Sequence, residues 1–265
     1  MPSVEQNSSL WNRNYDWSHG GDEWSACWGG PEAQWFGAIL PRIHAFVPTD
    51  TILEIAPGFG RWTQFLKDYC RQLILVDLSE RCIEQCKNRF IQSSHIEYRV
   101  NDGRSLEFLA DESIDFVFSF DSLVHVEADV IAAYLSQLAT KLKSNGTGFI
   151  HHSNLASYLD PVTNDLPPGL INKHWRARSV SAKLFEECCQ AAGMKCTSQE
   201  NVNWGTEELT DTFSTFTPAR SVWSRSNRVL ANPGFMDEAD RISKLASLYS
   251  VRHWRDNATA GVKTG

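Results

Sequence analysis

Apolar runs alternate with polar, glycine-containing segments through the middle of the chain, and their spacing predicts the main elements. Seven runs have the length and composition of strands, at residues 51–56, 72–77, 95–101, 114–120, 148–152, 194–203 and 210–216. Helical spacing predicts helices at residues 62–67, 80–90, 128–142 and 181–192. Strands that alternate with helices indicate an α/β fold, a doubly wound and mostly parallel sheet with helices on both faces.

The segments outside this rhythm define the domain organisation that we predict. Residues 1–45 form an N-terminal cap, residues 46–225 the core, and residues 226–265 a C-terminal helix, at 234–251, followed by a tail. Within the core, the proline-rich stretch at 153–178 reads as a lid-like insertion. Residues 34–46 have a helical pattern despite Pro41.

The N-terminal cap is rich in large aromatic side chains among glycines. These aromatics are Trp11, Tyr15, Trp17, Trp24, Trp28, Trp35 and Phe36. We expect short helices and irregular turns that lie over a ligand site, because such a density of aromatics is not typical of a free tail. An ordinary N-terminal helix packed on the sheet is the alternative.

The first predicted strand runs into a glycine-containing turn and then a helix. Gly58 and Gly60 lack a Cβ, so their backbone can take positive φ and approach a ligand. A strand, turn and helix in this order are typical of a nucleotide-type cofactor site at the carboxyl edge of a parallel sheet. Glu54 lies within the first strand, and Asp77 ends the second. Asn101, Asp102 and Gly103 follow at the end of the third.

This ordered set resembles the class I S-adenosylmethionine-dependent methyltransferases, over about residues 45–220. The resemblance implies a seven-stranded sheet with an antiparallel hairpin at one edge. It also implies a set of residues that bind S-adenosylmethionine: Glu54, Ala56, Gly58, Gly60, Arg61, Asp77, Leu78, Asp102, Gly103 and Ser119. Asp77 would hold the ribose hydroxyls, since a carboxylate accepts two hydrogen bonds from a vicinal diol. Asp102 would face the adenine amino group.

A nicotinamide-type Rossmann site is the competing interpretation. Such a site needs a third glycine to seat a pyrophosphate at the helix N-terminus. Thr63 occupies that position, and an acidic residue precedes the turn. S-adenosylmethionine has no phosphate, so the methyltransferase interpretation is favoured. In general appearance the chain looks like bacterial methyltransferases that modify sugars or other small molecules.

Candidates for the chemistry of methyl transfer follow the fourth and fifth strands. His125 is the expected general base, because histidine titrates near neutral pH, and Asp121 is expected to orient it or bind substrate. Support of the cofactor loop is the alternative role for His125. Alternation sends His151 and His152 to opposite faces of the sheet, and we favour the second as a substrate contact. The other expected substrate contacts are Tyr15, Trp17, His19, Trp175 and Arg176.

Composition and charge narrow the class of protein. The net charge of −7 over 265 residues argues against a nucleic-acid partner. No apolar run has the length of a membrane span, and the N-terminus lacks the pattern of a secretory signal. Seven scattered cysteines favour reduced thiols and a cytoplasmic location. We expect no metal site and a small-molecule acceptor, and we leave a homo-oligomer open.

The sequence therefore predicts S-adenosylmethionine-dependent methyl transfer to a hydroxyl of a glycoside or natural product. Three alternatives stay open at this point: methylation of an amine or peptide N-terminus, a non-catalytic S-adenosylmethionine-binding or scaffold protein, and a reductase.

Overall fold

The computed structural model describes residues 3–172 and 174–249. Eight strands in this part of the chain form one sheet in the order β3-β2-β1-β4-β5-β7-β6-β8. Their bounds are β1 Thr49–Ile55, β2 Cys70–Asp77, β3 Ile96–Val100, β4 Ile114–Ser119, β5 Leu142–Ser153, β6 Met194–Val202, β7 Asp211–Pro218 and β8 Arg228–Asn232. Strands β1 to β5 pair in parallel, whereas β7 is antiparallel to both β5 and β6. The predicted α/β fold with an antiparallel edge hairpin is confirmed.

The predicted number of seven strands is wrong, because β8 adds an eighth strand beside β6 in parallel. Four of its five residues are exposed and the fifth is half-buried. An edge strand without a buried face has no alternating apolar pattern, so the hydrophobic periodicity could not reveal it.

Strand β5 also begins earlier than predicted. Residues 142–147, which precede the predicted strand, belong to β5, whose register with β4 shifts between Ile114 and Phe116. Gly148 has no room for a side chain, because an added Cβ would lie 2.1 Å from the Phe216 ring. Gly148 therefore allows close packing against β7.

The helices from residue 62 onward lie at their predicted positions, whereas the first helix was not predicted. Their bounds are α1 Val4–Ser9, α2 Pro31–Gln34, α3 Leu40–Ile43, α4 Thr63–Leu66, α5 Glu80–Arg89, α6 Ala128–Lys141, α7 Ala182–Ala191 and α8 Phe235–Tyr249. A wider π-type turn, Trp35–Ile39, joins α2 to α3, so residues 34–43 are helical as predicted. This turn precedes Pro41, which has no N–H to donate to the preceding turn of the helix. The predicted tail beyond residue 249 lies outside the described residues.

Two apolar layers cover the faces of the sheet. Alternation along β4 sends Phe116 and Phe118 into one layer and Val117 into the other. The first layer contains Trp28 and Trp35 of the N-terminal cap, and the second is built on α6 and α7. The cap therefore belongs to the hydrophobic core as well as to the ligand side of the sheet. In the described residues, no helix has the length and apolar character to span a membrane.

Candidate active site

A cleft opens at the carboxyl ends of β1, β2 and β4, with about 780 Å³ of space when the solvent at its mouth is included. Its walls come from the glycine-containing turn after β1, the end of β2, the segment after β4 and the N-terminal cap. The residues that line it include Trp11, Trp17, Trp24, Gly58, Arg61, Asp77, Leu78, Gly103, Asp121 and His125. The sheet edge predicted to hold a cofactor is therefore the edge at which a cleft is found.

The turn after β1 is built from residues with positive φ. Ala56, Gly58 and Gly60 have φ values of 58°, 57° and 83°. A Cβ on Gly58 would lie 3.0 Å from the Trp17 ring, so this glycine lets the cap approach the turn. A Cβ on Gly60 would lie 2.5 Å from Phe90. Gly60 thus shapes the turn by close packing and is not part of the cleft lining, whereas Ala56 and Gly58 are.

Asp77 joins the turn to the end of β2. Its Oδ2 accepts a hydrogen bond from the Gly58 N–H at 3.2 Å, and its Oδ1 accepts one from the Ser79 N–H at 2.8 Å. Burial raises the pKa of Asp77 to about 6, although these backbone donors act to lower it. Each carboxylate oxygen keeps a further lone pair, so the side chain can accept hydrogen bonds from two hydroxyls.

Glu54 lies behind the turn and does not line the cleft. Its Oε2 accepts a hydrogen bond from the Thr63 hydroxyl at 2.6 Å, which ties β1 to the first residue of α4. Burial raises the pKa of Glu54 to about 8, so the side chain is mostly protonated at neutral pH. The structure gives Glu54 a supporting position rather than a position against the ligand.

Asp102 and its neighbour Gly103 take different positions relative to the cleft. Gly103 lines the cleft with φ of 81°, and a Cβ there would lie 3.1 Å from Val4. The Asp102 carboxylate instead accepts hydrogen bonds from the backbone N–H groups of Ser105 and Arg104, at 2.7 and 2.9 Å. These bonds lower its pKa on the exposed side of the turn. The prediction that Asp102 faces an adenine ring is thus not supported by its position.

Leu78 and Ser119, the last two predicted cofactor residues, also differ in whether they line the cleft. Leu78 lines the cleft. Ser119 is fully buried at the end of β4 and does not line it, and its hydroxyl has no hydrogen-bond partner among the described residues.

Arg61 and Asp121 form a buried ion pair inside the cleft. The Arg61 Nη2 donates to Asp121 Oδ2 at 2.8 Å, and its guanidinium lies 4.5 Å from the Trp62 ring centre and 5.1 Å from that of Trp24. Burial alone would raise the pKa of Asp121, but Arg61 and then Arg176 outweigh it and lower the pKa. The predicted role of Asp121 in orienting His125 is not observed, because its carboxylate faces guanidinium groups.

His125 lines the cleft as a neutral imidazole. Its Nδ1 lies 3.0 Å from the backbone carbonyl oxygen of Trp175, and since a carbonyl only accepts, Nδ1 carries the proton. Nε2 then keeps its lone pair. Burial, and next the charge of Arg176, lower the pKa of His125 to about 4. Asn7 donates to the His125 carbonyl oxygen at 2.9 Å and so ties α1 to this segment.

Backbone conformation singles out the same region. Five non-glycine residues among those described have positive φ: Ala56, Glu112, Asp121, Asn164 and Trp175. Three of these, Ala56, Asp121 and Trp175, lie in the cleft or contact His125 directly. Strained backbone of this kind is concentrated at functional sites, because the surrounding structure must hold it in place.

The two histidines of β5 point to opposite faces, as predicted, but the favoured one points away from the cleft. His152 stacks on Phe185 at 4.3 Å and its Nε2 lies 2.8 Å from the Ser214 hydroxyl. His151 instead accepts a hydrogen bond from the Asp121 N–H at its Nδ1, at 3.1 Å, and donates to Asp211 at 3.0 Å. His152 therefore has no position from which to contact a substrate in the cleft.

The other predicted substrate contacts differ in whether they line the cleft. Trp17 lines the cleft, whereas Tyr15 donates its hydroxyl to Glu23 at 2.6 Å and His19 is exposed. Trp175 lies beside the His125 ring, with 5.8 Å between ring centres.

Arg176 lies behind the cleft wall. It donates to Asp211 at 2.8 Å, lies 3.8 Å from Asp121, and lines a separate small pocket together with Trp204. Asn7, which contacts the His125 backbone, was missed because a single asparagine near the N-terminus carries no sequence signal.

Comparison with known proteins bears on the same region. Residues 52–146, which contain the end of β1, the glycine turn, Asp77 and His125, match a family described as a methyltransferase domain. Over these residues the chain contains an S-adenosylmethionine-dependent methyltransferase domain.

Curated relatives of this methyltransferase domain match over part of their length. Phosphoethanolamine N-methyltransferase 3 of Arabidopsis thaliana is 27% identical over 152 residues, which is 56% of this chain and 30% of that protein. Nodulation protein S of Sinorhizobium fredii is 32% identical over 85 residues, 32% of this chain and 38% of that protein. The chain thus spans about a third of the length of these curated relatives.

Solved structures share the fold at low sequence identity. The CcbJ methyltransferase from Streptomyces caelestis has a TM-score of 0.54 at 15% identity, over 71% of this chain and 96% of that one. The N-methyltransferase NodS from Bradyrhizobium japonicum has a TM-score of 0.53 at 15% identity, over 71% and 97%.

The residues of the cleft fit S-adenosylmethionine, the cofactor of this class. An added Cβ would lie 3.0 Å from Trp17 at Gly58 and 3.1 Å from Val4 at Gly103, so these glycines let the cap approach the turns on both sides of Asp77. The Asp77 carboxylate has further lone pairs that can accept hydrogen bonds from a diol. Within the described residues, no group of three or more His, Cys, Asp or Glu side chains has an arrangement that could hold a metal ion.

Proposed function

We propose that this protein transfers a methyl group from S-adenosylmethionine to a hydroxyl of a small molecule, a glycoside or other natural product. The observation that carries the proposal is the neutral His125 imidazole in the lining of the same cleft as Asp77. A hydroxyl must lose a proton as its oxygen is methylated, so a base with a free lone pair in the cleft is what the reaction requires.

The cofactor supplies an electrophilic methyl group, and the protein must place the acceptor in line with it and exclude water. In this proposal Asp77, Gly58, Leu78 and Gly103 hold the adenosine end. Arg61 is proposed to meet the carboxylate of the cofactor, because its guanidinium is the cation in the described lining. The sequence prediction for these five positions is therefore kept as a proposal.

His125 is proposed to take the hydroxyl proton at Nε2. The hydrogen bond between Nδ1 and the Trp175 carbonyl holds the ring in the tautomer that leaves Nε2 free. Its low pKa keeps the imidazole unprotonated throughout the neutral range. The same burial makes it a weak base, so we propose that proton transfer occurs only as the new oxygen–carbon bond forms.

The N-terminal cap is proposed to exclude water from the reaction. The rings of Trp11, Trp17 and Trp24 lie 5.6 to 6.0 Å apart, and Trp17 stacks on Phe59 with 4.2 Å between ring centres. Such rings replace water with apolar surface beside the base.

A cytoplasmic location is part of the proposal and is supported by seven cysteines that are all free thiols.

The test is His125→Ala, with His44→Ala as the matched control at an exposed histidine. We expect His125→Ala to lower turnover by about 100-fold or more, the scale of a lost general base. Its affinity for S-adenosylhomocysteine should stay near that of the unchanged protein, and His44→Ala should alter neither quantity. Turnover that survives His125→Ala unchanged would remove the residue from the mechanism.

Methylation of an amine is the second candidate, and the names of the relatives favour it. Two of them are N-methyltransferases by name, one acting on phosphoethanolamine. A neutral amine needs less help from a base than a hydroxyl does. Methyl transfer to nitrogen with little effect of His125→Ala would favour this candidate, and product analysis by mass spectrometry separates the two.

A further inference from the structure

We infer that the acceptor is an uncharged ring-shaped molecule bearing a hydroxyl, and that phosphorylated acceptors are excluded from the cleft. This inference rests on the proposed function, since it names the class of molecule that the same site methylates. It follows from the charges of the cleft, from the groups behind its wall and from its aromatic surface.

The ionised side chains in the described lining already have partners or a proposed ligand. They are Asp77, Arg61 and Asp121, and the last two pair at 2.8 Å with side-chain exposures of 5% and 10%. His125 is neutral because its pKa lies well below 7. The lining on the side of His125 therefore carries no net charge.

Among the described residues behind the wall, Arg176 is already paired and His151 is not a cation. Arg176 faces Asp121 at 3.8 Å but donates to Asp211 at 2.8 Å, and both partners are buried. His151 receives the Asp121 N–H at Nδ1, so that nitrogen carries no proton. Two guanidinium groups thus meet two carboxylates, and the cluster is neutral as a whole.

The cofactor carboxylate is already proposed to use Arg61, so a phosphate on the acceptor would meet no second Lys or Arg in the described lining and would remain unpaired. An unpaired charge removed from water is strongly disfavoured. Asp22 adds to this cost, since its charge acts on Arg61 as well as on Arg89. A cationic acceptor would lack an anionic partner, because Asp121 is already paired with Arg61. An uncharged acceptor avoids both costs.

The aromatic surface indicates the shape of the acceptor. Trp11, Trp24, Trp62 and Phe120 line the cleft beside the Arg61–Asp121 pair and His125. Flat apolar walls with polar groups at one side suit a ring that has an apolar face and hydroxyls at its edge. A sugar ring and a phenolic ring share this chemistry, and the experiment distinguishes them.

The first experiment follows the methyl group. The protein is incubated with methyl-tritiated S-adenosylmethionine and a small-molecule extract of the cells that produce it, and ion exchange separates uncharged, anionic and cationic products. We expect the label in the uncharged fraction, with aromatic absorbance at the labelled peak identifying a phenol and its absence a sugar. Label on the oxygen of a charged product overturns this inference and leaves the proposed function standing. Label on nitrogen, or no label in any fraction, overturns both.

The second experiment removes the charge that neutralises Arg61. Asparagine tolerates positive φ, so Asp121→Asn can keep the φ of 61° and the backbone bond to His151. Calorimetry with inorganic phosphate on the cofactor-free protein should show binding at least about tenfold tighter in the variant. The reason is that Arg61 would then lack its carboxylate partner and could pair with phosphate. Asp68→Asn, which breaks the exposed Lys67–Asp68 pair, is the control and should bind phosphate as the unchanged protein does. Equal phosphate affinity in Asp121→Asn and the unchanged protein would overturn the inference, whatever the outcome for methyl transfer.

Discussion

The pKa of Asp77 predicts that affinity for the cofactor depends on pH in a range where few other groups of the cleft titrate. Burial raises this pKa to about 6 in the free protein. If the carboxylate must be ionised to accept the ribose hydroxyls, nearly all of the protein is competent at pH 7.5 and about a tenth of it at pH 5. The dissociation constant of S-adenosylhomocysteine should therefore rise about tenfold between these values, or about 1.4 kcal/mol.

Calorimetric titration at half-unit intervals from pH 5 to 7.5 measures this dependence, with thermal unfolding at each pH to confirm that the protein is folded. Asp77→Asn is the paired variant, because it keeps the size of the side chain and removes the titration. We expect it to bind about 10- to 100-fold more weakly at pH 7.5, the scale of a lost charged hydrogen bond. Its remaining affinity should be flat with pH. An equally steep pH dependence in Asp77→Asn, or none in the unchanged protein, would refute the assignment of Asp77 to the ribose.

Two further predictions concern stability. The pKa of Glu54 is about 8 against an ordinary 4.5, so the folded protein keeps a proton that the unfolded chain loses, and stability should fall as pH rises from 4.5 to 8. Glu54→Gln should remove a penalty of about 3 kcal/mol at pH 7, seen in urea unfolding as a flatter pH dependence; parallel curves would contradict it. Gly60→Ala should destabilise by about 1–3 kcal/mol more than Gly20→Ala, because both have positive φ but only the Gly60 Cβ meets Phe90, at 2.5 Å. Equal melting temperatures for the two alanine variants would show that the contact is relieved without cost.

The elements that sequence reasoning located share a local cause. Strand β1, the turn at Gly58 and the acid at Asp77 follow from apolar runs, from glycines without a Cβ and from a polar residue at a strand end. Each of these signals is contained within a few consecutive residues. Strand β8 was not predicted because its side chains are exposed and leave no such signal.

The site residues were harder to predict because their roles depend on residues distant in the chain. Asp102 and Gly103 are adjacent, yet one binds the backbone of its own turn and the other lines the cleft. Spacing alone predicts that His151 and His152 face opposite sides of β5, but which side holds the cleft depends on how the sheet is covered.

By itself, the sequence determined the doubly wound sheet and the turn at its carboxyl edge, since both arise from hydrophobic periodicity and from the conformational freedom of glycine. Only the tertiary structure decided the charge of the cleft. Arg61 and Asp121 are separated by 60 positions and pair only after β1 and β4 lie side by side. The carbonyl of Trp175 reaches His125 across 50 positions in the same way. Contacts between distant residues have no local signature in the chain, because they exist only when folding has brought the strand ends together.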